Sequence, residues 1–201
     1  MFIILWLTLI FISLLIMVKS KNSTIHEIFK ESVEIGKGMR LSHFLMSIPL
    51  IVIIATVGTI LYNLHPILQF GWLWSMVNNV GVEVSEPTFP FVSLILGSLL
   101  LVLCLFIPKF AHNEEISYRK PYLDKGWGQG IKGSLIFGLM HMVMGIPLSF
   151  ALALSIGGFA FLYVAKKKGI MESTYFHSAY NMTIMVTVII IFWSDVVMYL
   201  M

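Results

Sequence analysis

The chain has 201 residues, 58% of them hydrophobic and 11% charged, with a mean hydropathy of +0.92. That composition describes an integral membrane protein and leaves no polar stretch long enough for a soluble domain. The formal net charge of +3 is no nucleic-acid footprint, because the basic residues are partitioned among loops rather than gathered on one face.

A helix needs roughly 20 apolar residues to cross a ~30 Å hydrocarbon core. Six stretches meet or approach that length, at 2–18, 41–62, 91–108, 131–144, 146–165 and 172–193. They predict an all-α, polytopic membrane helix bundle of about six spans in a single domain over 1–201. The first stretch lacks a basic n-region and a small-x-small cleavage site, so it reads as a retained span rather than a signal peptide. After it, Thr24-Ile-His-Glu27 matches a capping box, and Ile25, Ile28, Phe29 and Val33 follow helical spacing. A short amphipathic helix on the cytoplasmic membrane surface is expected there, stopped by Gly36 and Gly38. The second span leads into an outer loop with Phe70, Trp72 and Trp74, which suit an interfacial aromatic belt. Cys104 in the third is the single cysteine, so no intramolecular disulfide and no cysteine-based metal site is available. The fourth span is short, and Gly145-Ile146-Pro147 turns it tightly into the fifth, making a membrane hairpin.

All 13 Lys and Arg residues fall in three loops, from Lys19 to Arg40, Lys109 to Lys132, and Lys166 to Lys168. The 63–90 loop, the 145–147 turn and the C-terminal tail have none. By the positive-inside rule the basic loops are cytoplasmic and both termini lie outside.

Three polar segments interrupt this apolar pattern: N-E-E-I-S-Y-R at 113–119, F-G-L-M-H at 137–141 and H-S-A-Y-N at 177–181. Ionisable groups near or inside spans are costly, so each is a functional candidate. Glu115 and Arg119 are four apart with the acid first, the favourable order for an ion pair on one helix face. Arg119 would fix that carboxylate by two-point contact. Glu114 lies about 100° round the helix from Glu115 and is placed to accept a proton from water. Counted from Pro90, Glu114 is about 36 Å along a straight helix. That exceeds the ~30 Å core and calls for tilt, for glutamates at headgroup level, or for a kink at Pro108. His141 lies about 14 Å along the axis from Lys132, and His177 about 8 Å from Glu172, with Asn181 on the same face as His177. All three segments therefore reach one cavity opening to the cytoplasm. Each also has a structural reading, with Asn113 as an N-cap followed by acids in a first turn and the histidines and Asn181 as interhelical hydrogen-bonding groups. Their joint occurrence at matching depth favours a site. Of the other histidines, His26, His43 and His65 read as structural or solvated, and His112 stands two residues from Glu114.

In this order on successive helices, E-E-x-x-x-R, F-x-x-x-H and H-x-x-x-N resemble the CPBP or Abi intramembrane proteases. That family includes the type II CAAX prenyl endopeptidases and bacterial relatives linked to bacteriocin maturation and self-immunity. The resemblance covers residues 91–193, which would be the catalytic core. It implies that Glu114 and His141 activate the attacking water, that Arg119 orients Glu115, and that His177 and Asn181 stabilise the oxyanion. Phe137 would pack beside them. Where the family often has glycine after the arginine, this chain has Lys120 and Pro121. The implied activity is cleavage of a peptide bond near the cytoplasmic face of a bacterial cytoplasmic membrane, in a prenylated tail or a leader peptide.

No cofactor is expected. Glu114, His141 and His177 also compose a zinc ligand set, but H-E-x-x-H is absent and Asn181 is a poor zinc ligand, which favours a metal-free mechanism. The partners expected are a peptide or protein substrate and the bilayer, with no nucleic acid. The competing reading is a non-catalytic immunity or scaffold protein that binds a peptide in the same cavity. A transporter is disfavoured, since no internal repeat and no paired Gly/Pro-interrupted helices are present.

Overall fold

The computed structural model describes residues 24–71 and 90–200, and every regular element among them is helical. The elements are α1 (Thr24–Gly36), α2 (Leu41–Leu64), α3 (Pro90–Cys104), α4 (Ile107–Tyr118), α5 (Trp127–Met140), α6 (Leu148–Lys168) and α7 (Ile170–Leu200). Short 3₁₀ turns occupy Pro66–Gln69, Lys120–Tyr122 and His141–Met144. Three helices are long and apolar enough to cross a membrane: Leu41–Leu64, Leu148–Lys168 and the Ile170–Ile191 part of α7. The expected span at 2–18, together with Trp72 and Trp74, lies outside the described residues.

α6 is the centre of the bundle, packed against α5, α2 and α7. The core gathers Leu50 and Ile54 of α2, Phe137 of α5, Ala153 and Phe161 of α6, and Phe176 and Tyr180 of α7. α5 and α6 approach closely because glycines line their contact. A Cβ on Gly138 would strike Ser155 and the Ala151 carbonyl, and one on Gly158 would lie 3.0 Å from both Phe137 Cδ1 and the Ser134 carbonyl. The hairpin turn between them is the expected one: Gly145 takes φ 87°, which disfavours any side chain.

The segment before the glutamates is not one helix. α3 ends at Cys104, two tightened turns carry Leu105 and Phe106 (Leu105 N–H to Val102 O at 3.1 Å, Phe106 N–H to Leu103 O at 2.9 Å), and α4 starts at Ile107. Pro108 explains the break. It has no N–H to donate to Cys104, and its ring crowds that carbonyl, yet it is tolerated in the first turn of a new helix. The glutamates therefore ride on a separate helix, and Asn113 lies inside it with Phe106 as the N-cap. That removes the N-cap reading of Asn113. Two boundaries also move. Thr24 is itself helical rather than the cap, and α5 ends at Met140, so His141 opens a 3₁₀ turn instead of sitting within a helix over 131–144.

The amphipathic α1 docks on α4. Glu31 pairs with Lys109 at 2.5 Å, Ser32 Oγ accepts from the Lys109 N–H at 3.3 Å, and Phe29 meets Phe106 edge to face. His43 links α2 to α7: its Nδ1 accepts from the Arg40 N–H at 2.9 Å, so Nε2 carries the proton and donates to Glu172 at 3.0 Å. Lys166 donates to the carbonyls of Leu123 and Lys125, both at 2.7 Å, and pins the connection between α4 and α5 to the end of α6.

Candidate active site

Four of the six expected site residues meet where α4 packs on α7. Glu115 is fully buried, and both of its oxygens are occupied. Oε1 accepts from His177 Nδ1 at 2.9 Å, and Oε2 accepts from Ser173 Oγ at 2.6 Å. On the far side of the same imidazole, His177 Nε2 lies 3.4 Å from Glu114 Oε2. One ring thus stands between two neighbouring glutamates. Their environments differ sharply: the Glu114 side chain is 37% exposed and that of Glu115 is 0% exposed.

The imidazole is also held by its faces and edges. Phe161 stacks on it at 4.2 Å between centroids with an interplanar angle of 19°, and Phe137 meets it edge to face at 5.7 Å. A ring clamped this way, with Nδ1 committed to a carboxylate, presents a fixed Nε2.

Arg119 enters differently from the two-point contact expected of it. It is completely buried, and its Nε lies 3.4 Å from Glu115 Oε1. The guanidinium lies on Phe137, with Cζ 3.9 Å from the ring centroid, and among the described residues none of its three nitrogens has a hydrogen-bond acceptor. The reason is competition: His177 and Ser173 already hold both oxygens of Glu115, so Arg119 contributes charge and stacking rather than a bidentate fork.

His141 and Asn181 stand at the edge of this cluster. His141 is half-buried, packs on Phe137 at 4.8 Å, and has Nδ1 2.9 Å from the Phe137 carbonyl. A carbonyl only accepts, so Nδ1 is the donor and the neutral ring keeps its lone pair on Nε2, the form a general base requires. Phe137, expected only to pack beside the site, is shared by His141, His177 and Arg119. Asn181 is half-buried one turn beyond His177 on the same face of α7. Among the described residues, neither His141 nor Asn181 is hydrogen-bonded to Glu114 or Glu115. The donor types of the zinc alternative are present at Glu114, His141 and His177, but among the described residues no three His, Cys, Asp or Glu side chains gather as ligands of one ion.

Two residues of the cluster escaped the motif reading, Ser173 and Phe161. Ser173 lies four before His177 and so on its face, a spacing that was available in the sequence. Phe161 had no local signal, since an apolar residue in an apolar helix carries none.

His112 is bonded outside this cluster. Its Nδ1 is 3.2 Å from Thr174 Oγ1, and it lines a cleft of about 440 Å³ between α1 and α4 with Glu31 and Lys109. Burial, then the charge of Lys109, pushes its pKa down, while the Glu31 carboxyl is held below the usual range by its hydrogen bond to Lys109.

No family model, no curated protein and no solved structure matches this chain. The functional reading therefore rests on the chemistry of the site itself.

Proposed function

We propose that this chain is an intramembrane endopeptidase with six spans, both termini outside, and a glutamate–histidine site facing the cytoplasm of a bacterial cell. The reading keeps the resemblance to the CPBP or Abi proteases, and a single observation supports it most. Two adjacent glutamates flank one clamped histidine, one buried and saturated with donors, the other open to water. A packing device needs only the first. An acid left half-exposed beside an oriented imidazole suits proton transfer.

In the proposed reaction, water is held by Glu114 and by Nε2 of His141. Its oxygen bonds the peptide carbonyl carbon as one of its protons passes to Glu114. The carbonyl π pair moves onto oxygen, where the Asn181 amide donates to the charge and His177 does so through an Nε2 that carries a second proton, since its Nδ1–H stays on Glu115. Preorganised donors of this kind contribute about 3–4 kcal/mol each to the transition state. Collapse breaks the C–N bond, and the proton on Glu114 passes to the leaving amine, which yields one carboxylic acid and one free amine; the acid then gives its remaining proton to the amine, leaving a carboxylate and an ammonium. Glu115, oriented beside Arg119, fixes the His177 ring throughout. No metal takes part in this scheme, and the substrate is a prenylated tail or a leader peptide.

The test compares peptide termini by mass spectrometry in cells expressing the wild type or Glu114→Gln at matched levels. Termini produced only by the wild type establish proteolysis and locate the cut relative to the membrane. Identical termini from two folded proteins would overturn the peptidase reading and leave a peptide-binding immunity or scaffold protein.

A further inference from the structure

We infer that Ser173 is a positioning residue of this site, the group that keeps Glu115 turned toward His177 and away from Arg119. The inference deepens the peptidase reading and depends on it only for its effect on turnover. Three observations combine. Ser173 is fully buried, and its Oγ lies 2.6 Å from Glu115 Oε2 and 2.8 Å from the Phe161 carbonyl. A hydroxyl has one proton for these two acceptors, and the charged one takes it by preference. Ser173 is also the only side chain hydrogen-bonded to Oε2 among the described residues. Finally, the guanidinium of Arg119 approaches Oε1 side-on at 3.4 Å, with all three nitrogens lacking an acceptor among the described residues.

The carboxylate is therefore contested. Arg119 offers a planar fork that would accept Glu115 in a bidentate pair, the stronger geometry for these two groups. Rotation of Glu115 into that fork would surrender the 2.9 Å bond from His177 Nδ1. Ser173 opposes the rotation by anchoring Oε2 to α7, on the same helix face as His177 and one turn before it. Through the Phe161 carbonyl its hydroxyl also touches α6, whose Phe161 ring stacks on His177. One small hydroxyl thus sets the position of the acid, and through the acid that of the imidazole.

The experiment reads the His177 Nδ1–H directly, by proton and nitrogen magnetic resonance on full-length, histidine-labelled protein in lipid nanodiscs. The signal is assigned by its loss in His177→Gln. A proton in a 2.9 Å bond to a carboxylate resonates far downfield. Ser173→Ala is expected to abolish or shift that resonance, and Ser173→Thr, which keeps the hydroxyl, to retain it. On a peptide identified by the termini comparison, Ser173→Ala should lower kcat about tenfold to a hundredfold while KM stays within about twofold. An unchanged Nδ1–H resonance in folded Ser173→Ala overturns the inference whatever the turnover does. A lost resonance, in a protein whose wild type cuts nothing, upholds Ser173 as the anchor and overturns only the peptidase reading.

Discussion

Removing the charge of Arg119 tests the buried pair on which the site is built. Arg119→Met keeps an unbranched, polarisable side chain on Phe137 and deletes only the guanidinium. At 3.4 Å, two unit charges attract by about 5 kcal/mol at an effective dielectric of about 20. Much of that is offset by the desolvation of a guanidinium that has no hydrogen-bond acceptor among the described residues. Its stacking on Phe137 at 3.9 Å adds about 1–2 kcal/mol. Breaking a buried pair from one side costs about 3–5 kcal/mol. The lower end is expected here, about 3 kcal/mol, because Glu115 keeps its bonds from His177 and Ser173. The double variant Glu115→Gln/Arg119→Met should recover part of that loss, since an amide oxygen still accepts from His177 and its NH₂ donates to Ser173. The expected coupling energy is about 2 kcal/mol, measured by denaturant unfolding of the four proteins in bicelles, followed by tryptophan fluorescence. A coupling below about 0.5 kcal/mol, or an Arg119→Met protein as stable as the wild type, would refute the account of Arg119 as the counter-charge of Glu115.

Glu114→Gln should change unfolding free energy by no more than about 0.5 kcal/mol, as expected of a partly exposed side chain, while lowering cleavage about a hundredfold or more; a large stability loss would make Glu114 structural. Gly138→Ala sets a methyl against Ser155 and the Ala151 carbonyl, and should cost about 1–3 kcal/mol and shift His141 one turn away, seen as lost stability and lost cleavage together. A strong zinc chelator should leave cleavage intact, whereas loss restored by added zinc would reassign Glu114, His141 and His177 as metal ligands. Acid should loosen α1 from α4. The depressed Glu31 carboxyl contributes stability above its ordinary value of 4.5 and loses it as pH falls further, and the depressed His112 imidazole becomes a cost once pH falls below about 6.5, where the unfolded chain takes up its proton first. Amide exchange of α1, corrected for intrinsic rates, should therefore show opening that grows below about pH 6.5, and a pH-independent opening would refute the coupling.

The sequence carried the long helices and the short-range pairings well, for reasons that are local. The apolar runs at 41–62 and 172–193 lie within α2 and α7, and that at 146–165 reappears as α6 from Leu148 on, because a span needs only length and hydropathy. Gly145 and Pro147 announced their turn through backbone stereochemistry. What stayed hidden depends on neighbours far along the chain. Pro108 advertised a kink, yet whether it bends or ends a helix depends on the turns it packs into, and here it sits in the first turn of α4. Arg119 was assigned a fork because arginine commonly makes one, and only the arrival of Ser173 and His177 from α7 explains why it lies side-on. His141 kept its expected neighbour Phe137 but lost its place within a helix, since the Gly145 turn tightens the chain into 3₁₀ geometry one turn early.

The contrast between Glu114 and Glu115 follows from the rotation of α4. Ile107, Ala111, Glu115 and Arg119 recur at steps of four, and all four are buried. An amphipathic helix places apolar residues on such a stripe, and this one does so for two turns before substituting an acid and then a base. A charge on the buried stripe costs stability unless it is paired and hydrogen-bonded, and the pairing here is incomplete, because Arg119 has no hydrogen-bond acceptor among the described residues. A residue pair chosen for packing alone would continue the stripe with leucine or alanine and gain stability. Glu115 and Arg119 instead hold a histidine, and the next position round the helix, Glu114, emerges where water can reach it. The departure from the apolar pattern is therefore confined to the residues that build the site, which is where a fold accepts instability in exchange for a fixed imidazole.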